Sequence, residues 1–434
     1  MKYSKFNSII SIGKKFSLLY NALSDKYIIL RGKANEDIER CGADELRMEN
    51  NILFEQLIDI QGIVGDSIDE TLIVKNIIED TDSDNSFYHL HINPTLDCNF
   101  RCWYCYENHK IGSKMSPNMV NYVQKYIENT IEQRQSIKTF ILAFFGGEPL
   151  MYFNDVAKPI IDYVCTICKS RNIDIQTHFT SNGYLLNEDI LDFLRDKDVS
   201  FQITLDGCKD EHNKTRFNRN GTGSYDRIIS NVKKLAQLNK YVVLRINYTS
   251  ANIFNISNIL NDLADLSEEY RNNITIDFQR VWQDVEAKSN SDVNKSLDHN
   301  IRIFINHGFK VTSHKNLSHV SNSCYGDKHN HCLINYNGDV FNCTARDFVT
   351  ENRSGYLTAD GTIIWDNDFM ARRMTSKYSK PVCHNCRIAP LCGGGCRQKA
   401  IEDIDNNQCT LYYSEKDIDQ IILSRFEYSF LSKD

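Results

Sequence analysis

Residues 96–105 read Leu96-Asp97-Cys98-Asn99-Phe100-Arg101-Cys102-Trp103-Tyr104-Cys105, which spaces three cysteines as C-x3-C-x2-C in one tight loop. Three thiolates from such a loop can hold three irons of a cubane 4Fe–4S cluster. The fourth iron is then left without a protein ligand, a place to bind and reduce another molecule. A zinc knuckle or a set of buried thiols is the alternative. Zinc prefers four closed ligands, and no fourth cysteine lies nearby; His109 is the nearest histidine.

The residues around the loop set its structural context. Residues 88–93 read as a strand, and further strands are predicted at 139–145, 174–180, 200–205, 241–248 and 275–280, with helical stretches between them. The first helix is well marked: Ser116 fits an N-cap, Pro117 the first helical position, and Met119, Val123 and Ile127 one face. Six β–α units in series predict a parallel sheet, open or curled into a partial barrel. Ligands in such sheets sit at the C-terminal ends of the strands. The three-cysteine loop directly follows the first strand.

A chain of 434 residues is too long for one ordinary core and implies two or three domains. Hydrophobic residues make up 41% and charged residues 25%, a globular composition. The net charge of −7 argues against a nucleic-acid groove as the main partner. No run reaches membrane-spanning length, and Lys14 and Lys15 interrupt the only early apolar stretch. Fifteen cysteines without a secretory signal predict a reducing, cytoplasmic setting, where clustered cysteines are metal or redox ligands more often than disulfides.

Residues 1–85 read as a small α+β unit: a hairpin of 16–20 and 27–30 around Ser24-Asp25, then helical spacing at Leu53, Phe54, Leu57, Ile58 and at Leu72, Ile73, Ile77. The polar run 80–86 reads as a linker. Residues 284–323 are polar and loop-rich, with one helix predicted near 301–305, and 414–431 reads as a closing amphipathic helix.

A second set of seven cysteines follows: Cys324, Cys343, Cys383, Cys386, Cys392, Cys396 and Cys409. Their spacing is C-x13-G-x4-C, a gap, C-x2-C-x5-C-x3-C, a gap, then C, with Gly338 as the glycine. Asn337-Gly338, between Cys332-Leu333-Ile334 and Val340-Phe341, predicts a type I′ hairpin that ends near Cys343. His314, His319, His329 and His331 flank Cys324 and read as a solvated loop. Cys165 and Cys168 read as core thiols inside a helix. Cys332 is either a hairpin core thiol or an extra ligand.

The three-cysteine loop, with Tyr104 before its last cysteine, resembles the signature of the radical S-adenosylmethionine (SAM) superfamily. The resemblance extends over 88–280. Gly146-Gly147-Glu148-Pro149 matches the GGEP segment, Ser181-Asn182-Gly183 the T-N-G segment, and Thr204-Leu205-Asp206-Gly207 follows with His212 and Arg216 downstream; Arg245-Ile246-Asn247 lies in the fifth strand. The seven later cysteines match the SPASM domain of radical SAM enzymes. The resemblance implies a partial (β/α)6 TIM-like barrel, a small N-terminal domain and a cysteine-rich C-terminal domain, divided at 1–85, 86–285, 286–322 (linker) and 323–434.

By the same resemblance, Cys98, Cys102 and Cys105 hold a SAM-binding 4Fe–4S cluster. Cys383, Cys386, Cys392 and Cys409 hold one auxiliary cluster, and Cys324, Cys343 and Cys396 another. The SAM contacts implied are Tyr104, Gly146, Gly147, Glu148, Ser181, Asn182, Thr204, Asp206 and Arg216. Glu148 would pair with an ammonium group and Arg216 with the methionine carboxylate. No catalytic residue beyond the cluster is implied. The expected reaction is hydrogen abstraction by a 5′-deoxyadenosyl radical.

Three functions fit these features to different degrees. The first is a maturase that installs a thioether or C–C crosslink in a ribosomally made peptide. It would use residues 1–85 to take the leader of the precursor as an added strand, and a flavodoxin or ferredoxin as electron donor. The second is an anaerobic sulfatase-maturing, formylglycine-forming enzyme. That group has an Asp directly after the G-x4-C cysteine, where this chain has Thr344, which cannot serve as a carboxylate base. The third, a non-enzymatic Fe–S electron carrier, leaves the SAM-type segments unexplained.

Overall fold

The structure, a computed structural model, describes residues 1–218, 220–313, 320–403 and 406–431. His314 and His319 lie outside them. The chain forms two compact units: one of Met1–Asp84, Lys315–His329 and Asp368–Asp434, the other of Asn85–His314 and Asn330–Asn367.

In the first unit, β1 (Lys2–Tyr3), β2 (Asn7–Ser11), β3 (Phe16–Asn21), β4 (Lys26–Arg31) and β5 (Ile63–Val64) make two antiparallel sheets, β1-β5 and β2-β3-β4. The predicted hairpin is β3–β4, with Leu18 opposite Ile29 and Tyr20 opposite Tyr27. Asp25 turns it at φ 56°, and Asn21 Oδ1 accepts the amides of Leu23 and Ser24. Strand β2 is poorly marked in the sequence because one of its two buried residues, Ser8, is polar.

Helices Ala34–Arg40, Ala43–Glu49, Asn51–Asp59 and Glu70–Asp82 follow. Asn50 caps the third through the Leu53 amide, and Asp69 caps the fourth through those of Thr71 and Leu72. Leu19 and Leu30 pack on these helices through Leu46, Leu53, Phe54 and Leu57. Leu18 and Tyr20, on the other face of β3, pack with Phe6, Ile388, Leu391, Ile418 and Ile422. The fourth helix runs into the stretch read as a linker. Asp82 is buried there, where Lys377 Nζ (3.0 Å), Arg397 (2.9 Å) and Ser323 Oγ (2.9 Å) donate to its carboxylate.

The second unit is built on one eleven-stranded sheet. β6 (Phe87–Ile92), β7 (Thr139–Phe144), β8 (Asp174–Ser181), β9 (Val199–Leu205), β10 (Tyr241–Tyr248) and β11 (Ile274–Arg280) are the six predicted strands, paired in parallel in chain order. β12 (Lys310–Ser313) extends the parallel run beside β11, and β13 (His331–Ile334) extends it beside β6. β14 (Asp339–Phe341), β15 (Gly355–Leu357) and β16 (Ile363–Trp365) complete the sheet as an antiparallel meander.

The helix expected near 301–305 runs over Ser291–Asn306. Its inner face is Val293, Leu297, Asn300 and Phe304. The polar Asn300 hides the periodicity in the sequence; its side chain donates to the Ile253 carbonyl at 2.9 Å. The Asn337-Gly338 turn also differs from the type I′ expectation. Asn335 pairs with Asp339, leaving the three-residue loop 336–338, in which Gly338 has φ 87° and Asn337 keeps a negative φ.

Pairing of β13 with β6 corrects the solvated-loop reading of His331. The residue is 2% exposed, and its Nε2 lies 3.0 Å from Nδ1 of the buried His91. On the opposite face of β13, Cys332 is buried among the hydroxyls of Tyr88 (3.5 Å) and Tyr126 (3.3 Å). Cys332→Ser is therefore expected to leave iron per chain unchanged and to lower stability by about 1 kcal/mol, checked by iron analysis and denaturant unfolding. Cys165 and Cys168 sit on helix Lys158–Arg171 against the same core.

Candidate active site at the strand ends

The C-terminal ends of β6 to β9 gather the residues singled out in the sequence. The three-cysteine loop leaves β6, Gly146-Gly147-Glu148 follows β7, Ser181 ends β8 with Asn182 next, and Thr204 is the penultimate residue of β9 with Asp206 just beyond its end. Arg216 stands after the short helix Lys209–Thr215.

The thiols of the loop lie near one another: Cys102 and Cys105 raise the pKa of Cys98, and Cys102 raises that of Cys105. Burial pushes all three up, Cys105 to about 11. The Arg216 guanidinium pulls Cys102 and Cys105 back down, and the Phe100 amide (3.4 Å) donates to Cys98 Sγ. One buried and two half-buried thiols with cationic and amide support suit a ligand that takes thiolates. Among the described residues, no three His, Cys, Asp or Glu side chains converge on a single metal ion. One zinc would draw its thiolates to about 2.3 Å from the metal; a cubane holds them on separate irons. Three thiolates from one loop suit a cubane, in which each would bind its own iron.

The two glycines are needed by the cysteine loop itself. A Cβ on Gly146 would stand 2.5 Å from the Asn93 side chain, and one on Gly147 only 2.1 Å from the Asp97 carbonyl oxygen; the φ values are 79° and 52°. The loop docks there because the Glu148 amide donates to that same carbonyl at 2.9 Å. Glu148 is wholly buried. Its carboxylate accepts from Ser181 Oγ (2.7 Å), the Asn182 amide (2.8 Å) and the Leu150 amide (3.1 Å), and burial raises its pKa to about 7. It braces the β7 end to the β8 end. Asn182 continues the brace by donating its side-chain amide to Asn99 at 2.8 Å.

A second network centres on Tyr104. Its hydroxyl donates to Asp206 (2.6 Å) and receives Arg216 NH2 (2.5 Å) and Asn247 Nδ2 (3.1 Å). Arg216 Nε also reaches Asp206 at 3.0 Å. His212 holds this group from behind. Its Nδ1 accepts the Asp206 amide, so Nε2 carries the proton toward Ser224 Oγ, which in turn donates to the Arg216 carbonyl. Burial and Arg216 keep the ring neutral, well below the usual imidazole range. Tyr104→Phe leaves the Asp206–Arg216 pair without its shared hydroxyl, at a cost of about 1–3 kcal/mol. SAM binding by the reconstituted variant, followed by equilibrium dialysis, is expected to weaken several-fold.

Two partners of the loop escape a reading of spacing alone. Glu107 accepts the Gly147 amide at 2.7 Å, and burial raises its pKa to about 7. The available signal was an acidic residue two places after the last cysteine. Asp347 accepts the Asn108 amide at 3.0 Å, and the Tyr106 hydroxyl donates to the Thr344 carbonyl. The loop after Cys343 thus meets the end of the first cysteine loop.

Residues 92–249 match the family model of the Radical SAM superfamily. The chain is 33% identical over 154 residues to a cysteine-type anaerobic sulfatase-maturating enzyme of Clostridium novyi, a match covering 34% of this chain and 39% of that protein. It is 24% identical over 352 residues to the radical SAM cyclopropyl synthase TigE of Paramaledivibacter caminithermalis, covering 73% of this chain and 70% of that one. Among solved structures, Streptococcus suis SuiB bound to the precursor peptide SuiA matches with a TM-score of 0.53 and 15% identity, over 96% of this chain and 99% of SuiB. Residues 92–249 thus form a radical SAM domain. A radical SAM domain implies SAM and a 4Fe–4S cluster. Among the described residues, no helix is long and apolar enough to cross a membrane.

Proposed function

We propose that this protein is a peptide maturase that installs a thioether or C–C crosslink in a ribosomally made precursor. The observation that carries the reading is the first unit, in which a three-stranded antiparallel sheet is followed by four helices. β2 and β4 each pair on one side only among the described residues. An open strand edge can take an extended peptide as an added strand, so residues 1–85 are assigned to leader binding, 86–285 to the radical SAM core and 323–434 to the SPASM part. TigE and SuiB lend support, since SuiB has been solved with its precursor peptide.

Cys98, Cys102 and Cys105 are assigned to the SAM cluster, Cys383, Cys386, Cys392 and Cys409 to one auxiliary cluster, and Cys324, Cys343 and Cys396 to the other. With the cluster and SAM bound, the site would supply one-electron chemistry able to take a hydrogen atom from the peptide. Backbone at Gly146 and Gly147, with Ser181, Asn182, Thr204 and Asp206, orients the SAM. Arg216 meets its carboxylate, Tyr104 fixes the Arg216 position, and Glu148 rigidifies the two strand ends. A small cytoplasmic iron–sulfur or flavin protein, a ferredoxin or flavodoxin, provides the electrons. Formylglycine formation is the second reading, favoured by the similarity to the Clostridium novyi enzyme and disfavoured by Thr344 after Cys343.

The test is incubation of the anaerobically reconstituted protein with SAM, dithionite and the peptide encoded next to its gene. Crosslinking gives a loss of two hydrogens whose fragment ions stop at the bridged residues. Loss of two hydrogens confined to one serine establishes formylglycine instead, and an unchanged peptide overturns both readings.

A further inference from the structure

The four-cysteine segment of the first unit has almost no regular structure of its own. Cys383 lies in a four-residue helix, Pro381–His384, and Cys392 ends another, Ala389–Cys392. Gly393, Gly394 and Gly395 follow with φ of 58°, 89° and 76°. Short helices of this kind do not stand without external support. Yet the segment carries some of the best-buried residues of the unit: Ile388 is 1% exposed, and Ala389 and Leu391 are 2%.

These residues cover one face of the N-terminal sheet. Ile388, Ala389 and Leu391 pack with Phe6, Leu18, Tyr20, Val74 and Ile78, and Cys383 and Cys386 lie against the same cluster. Lys5 Nζ donates to the carbonyl of His384, between the first two cysteines, at 2.9 Å. The helix Glu415–Leu431, which begins just after Cys409, adds Ile418 and Ile422 to that core. It also clamps the hairpin turn: Arg425 Nε donates to Asp25 at 2.7 Å, Asp25 accepts the Tyr20 hydroxyl at 2.8 Å, and the Tyr27 and Phe426 rings stand 5.2 Å apart.

The four ligands assigned to this site are Cys383, Cys386, Cys392 and Cys409. All are free thiols.

We infer that the Cys383/Cys386/Cys392/Cys409 site is a structural staple of the N-terminal sheet: its metal content holds the apolar cover of β3 and β4 in place and so makes the folding of the proposed leader-binding unit depend on cluster assembly. This rests on the cluster assignment above. The physical basis is the coupling of metal binding to folding. A cluster ties two short segments and the start of a long helix into one piece. Without it, the cover is joined to the sheet only by side chains that the chain between the cysteines cannot hold in register.

The experiment compares amide hydrogen exchange of full-length, anaerobically reconstituted proteins, read over residues 16–31 and 415–431, with iron determined on the same samples. In the Cys383→Ser/Cys386→Ser variant, iron falls by about four per chain, and exchange over both stretches speeds up at least tenfold. In the Cys98→Ala/Cys102→Ala/Cys105→Ala variant, iron falls by a similar amount and exchange over these stretches is unchanged. Loss of iron with unchanged exchange in the serine variant overturns the inference. Full retention of iron there overturns the cluster assignment itself, and the inference with it. Should the serine variant not fold, the alanine variant decides before and after reconstitution: slower exchange over 16–31 in the loaded form supports the staple, and equal exchange rejects it.

Discussion

Replacing Cys98, Cys102 and Cys105 together by alanine is expected to bring 5′-deoxyadenosine formation down to the level of a protein-free control. The three thiols are the only cysteines of the loop after β6, and Arg216 is the cation that favours the thiolate forms of Cys102 and Cys105. The strands beneath carry a large apolar core, as in Leu90, Leu142, Phe179 and Ile203, of which Cys98 is one small member, so the sheet persists. Iron should fall by about four per chain, the content of one cubane. Wild type and variant are compared anaerobically with SAM and dithionite by quantitative chromatography, with far-ultraviolet circular dichroism as the check on folding. Equal 5′-deoxyadenosine yields would remove the radical reading altogether.

Gly147→Ala should be nearly as damaging, although it removes no functional group. An alanine at φ 52° sits in the left-handed region at a cost of about 1–2 kcal/mol. The larger penalty is spatial. The added Cβ would stand 2.1 Å from the Asp97 carbonyl oxygen and 2.8 Å from the Leu96 carbonyl carbon, both backbone atoms that no rotamer change can withdraw. The cysteine loop must move away, which breaks the Glu148 amide contact with Asp97 and opens the Gly147 amide contact with Glu107. The expected outcome is a SAM affinity reduced more than tenfold, about 1.4 kcal/mol or more, with iron content partly lost. Isothermal titration with SAM after reconstitution and iron analysis check both. Gly112→Ala is the matched control: its φ is 73°, and no atom lies within 4 Å of the new Cβ.

Much of the site was legible because its chemistry is local. C-x3-C-x2-C, the Gly-Gly-Glu run, Ser-Asn-Gly and Asp206 are each short segments at the end of a strand. Strand and helix alternate clearly enough from residue 88 to 280 to predict where those ends face. The six parallel strands follow from apolar runs such as Phe140–Phe144, buried on both faces of a parallel sheet. Less visible were features that depend on polar residues in buried places. Asn300 interrupts a helix face, Ser8 a strand face, and Asp82 carries a charge into the interior, where Lys377 and Arg397 meet it. Sequence patterning treats each of these as a sign of solvent, and only the partner explains its burial.

The sequence by itself determined the parallel sheet, the position of the three-cysteine loop after its first strand and the residue types available for a cluster and for SAM. All of these depend on neighbours within a few residues, where spacing and backbone preference act. Only the tertiary structure decided that β13 joins β6 and buries His331, that Cys332 is a core thiol between two tyrosines, that Glu107 holds the Gly147 amide, and that the two ends of the chain form one unit around the four-cysteine segment. Those contacts link residues dozens to hundreds of positions apart. They are selected by which apolar faces and buried charges find each other, a choice that local spacing does not encode.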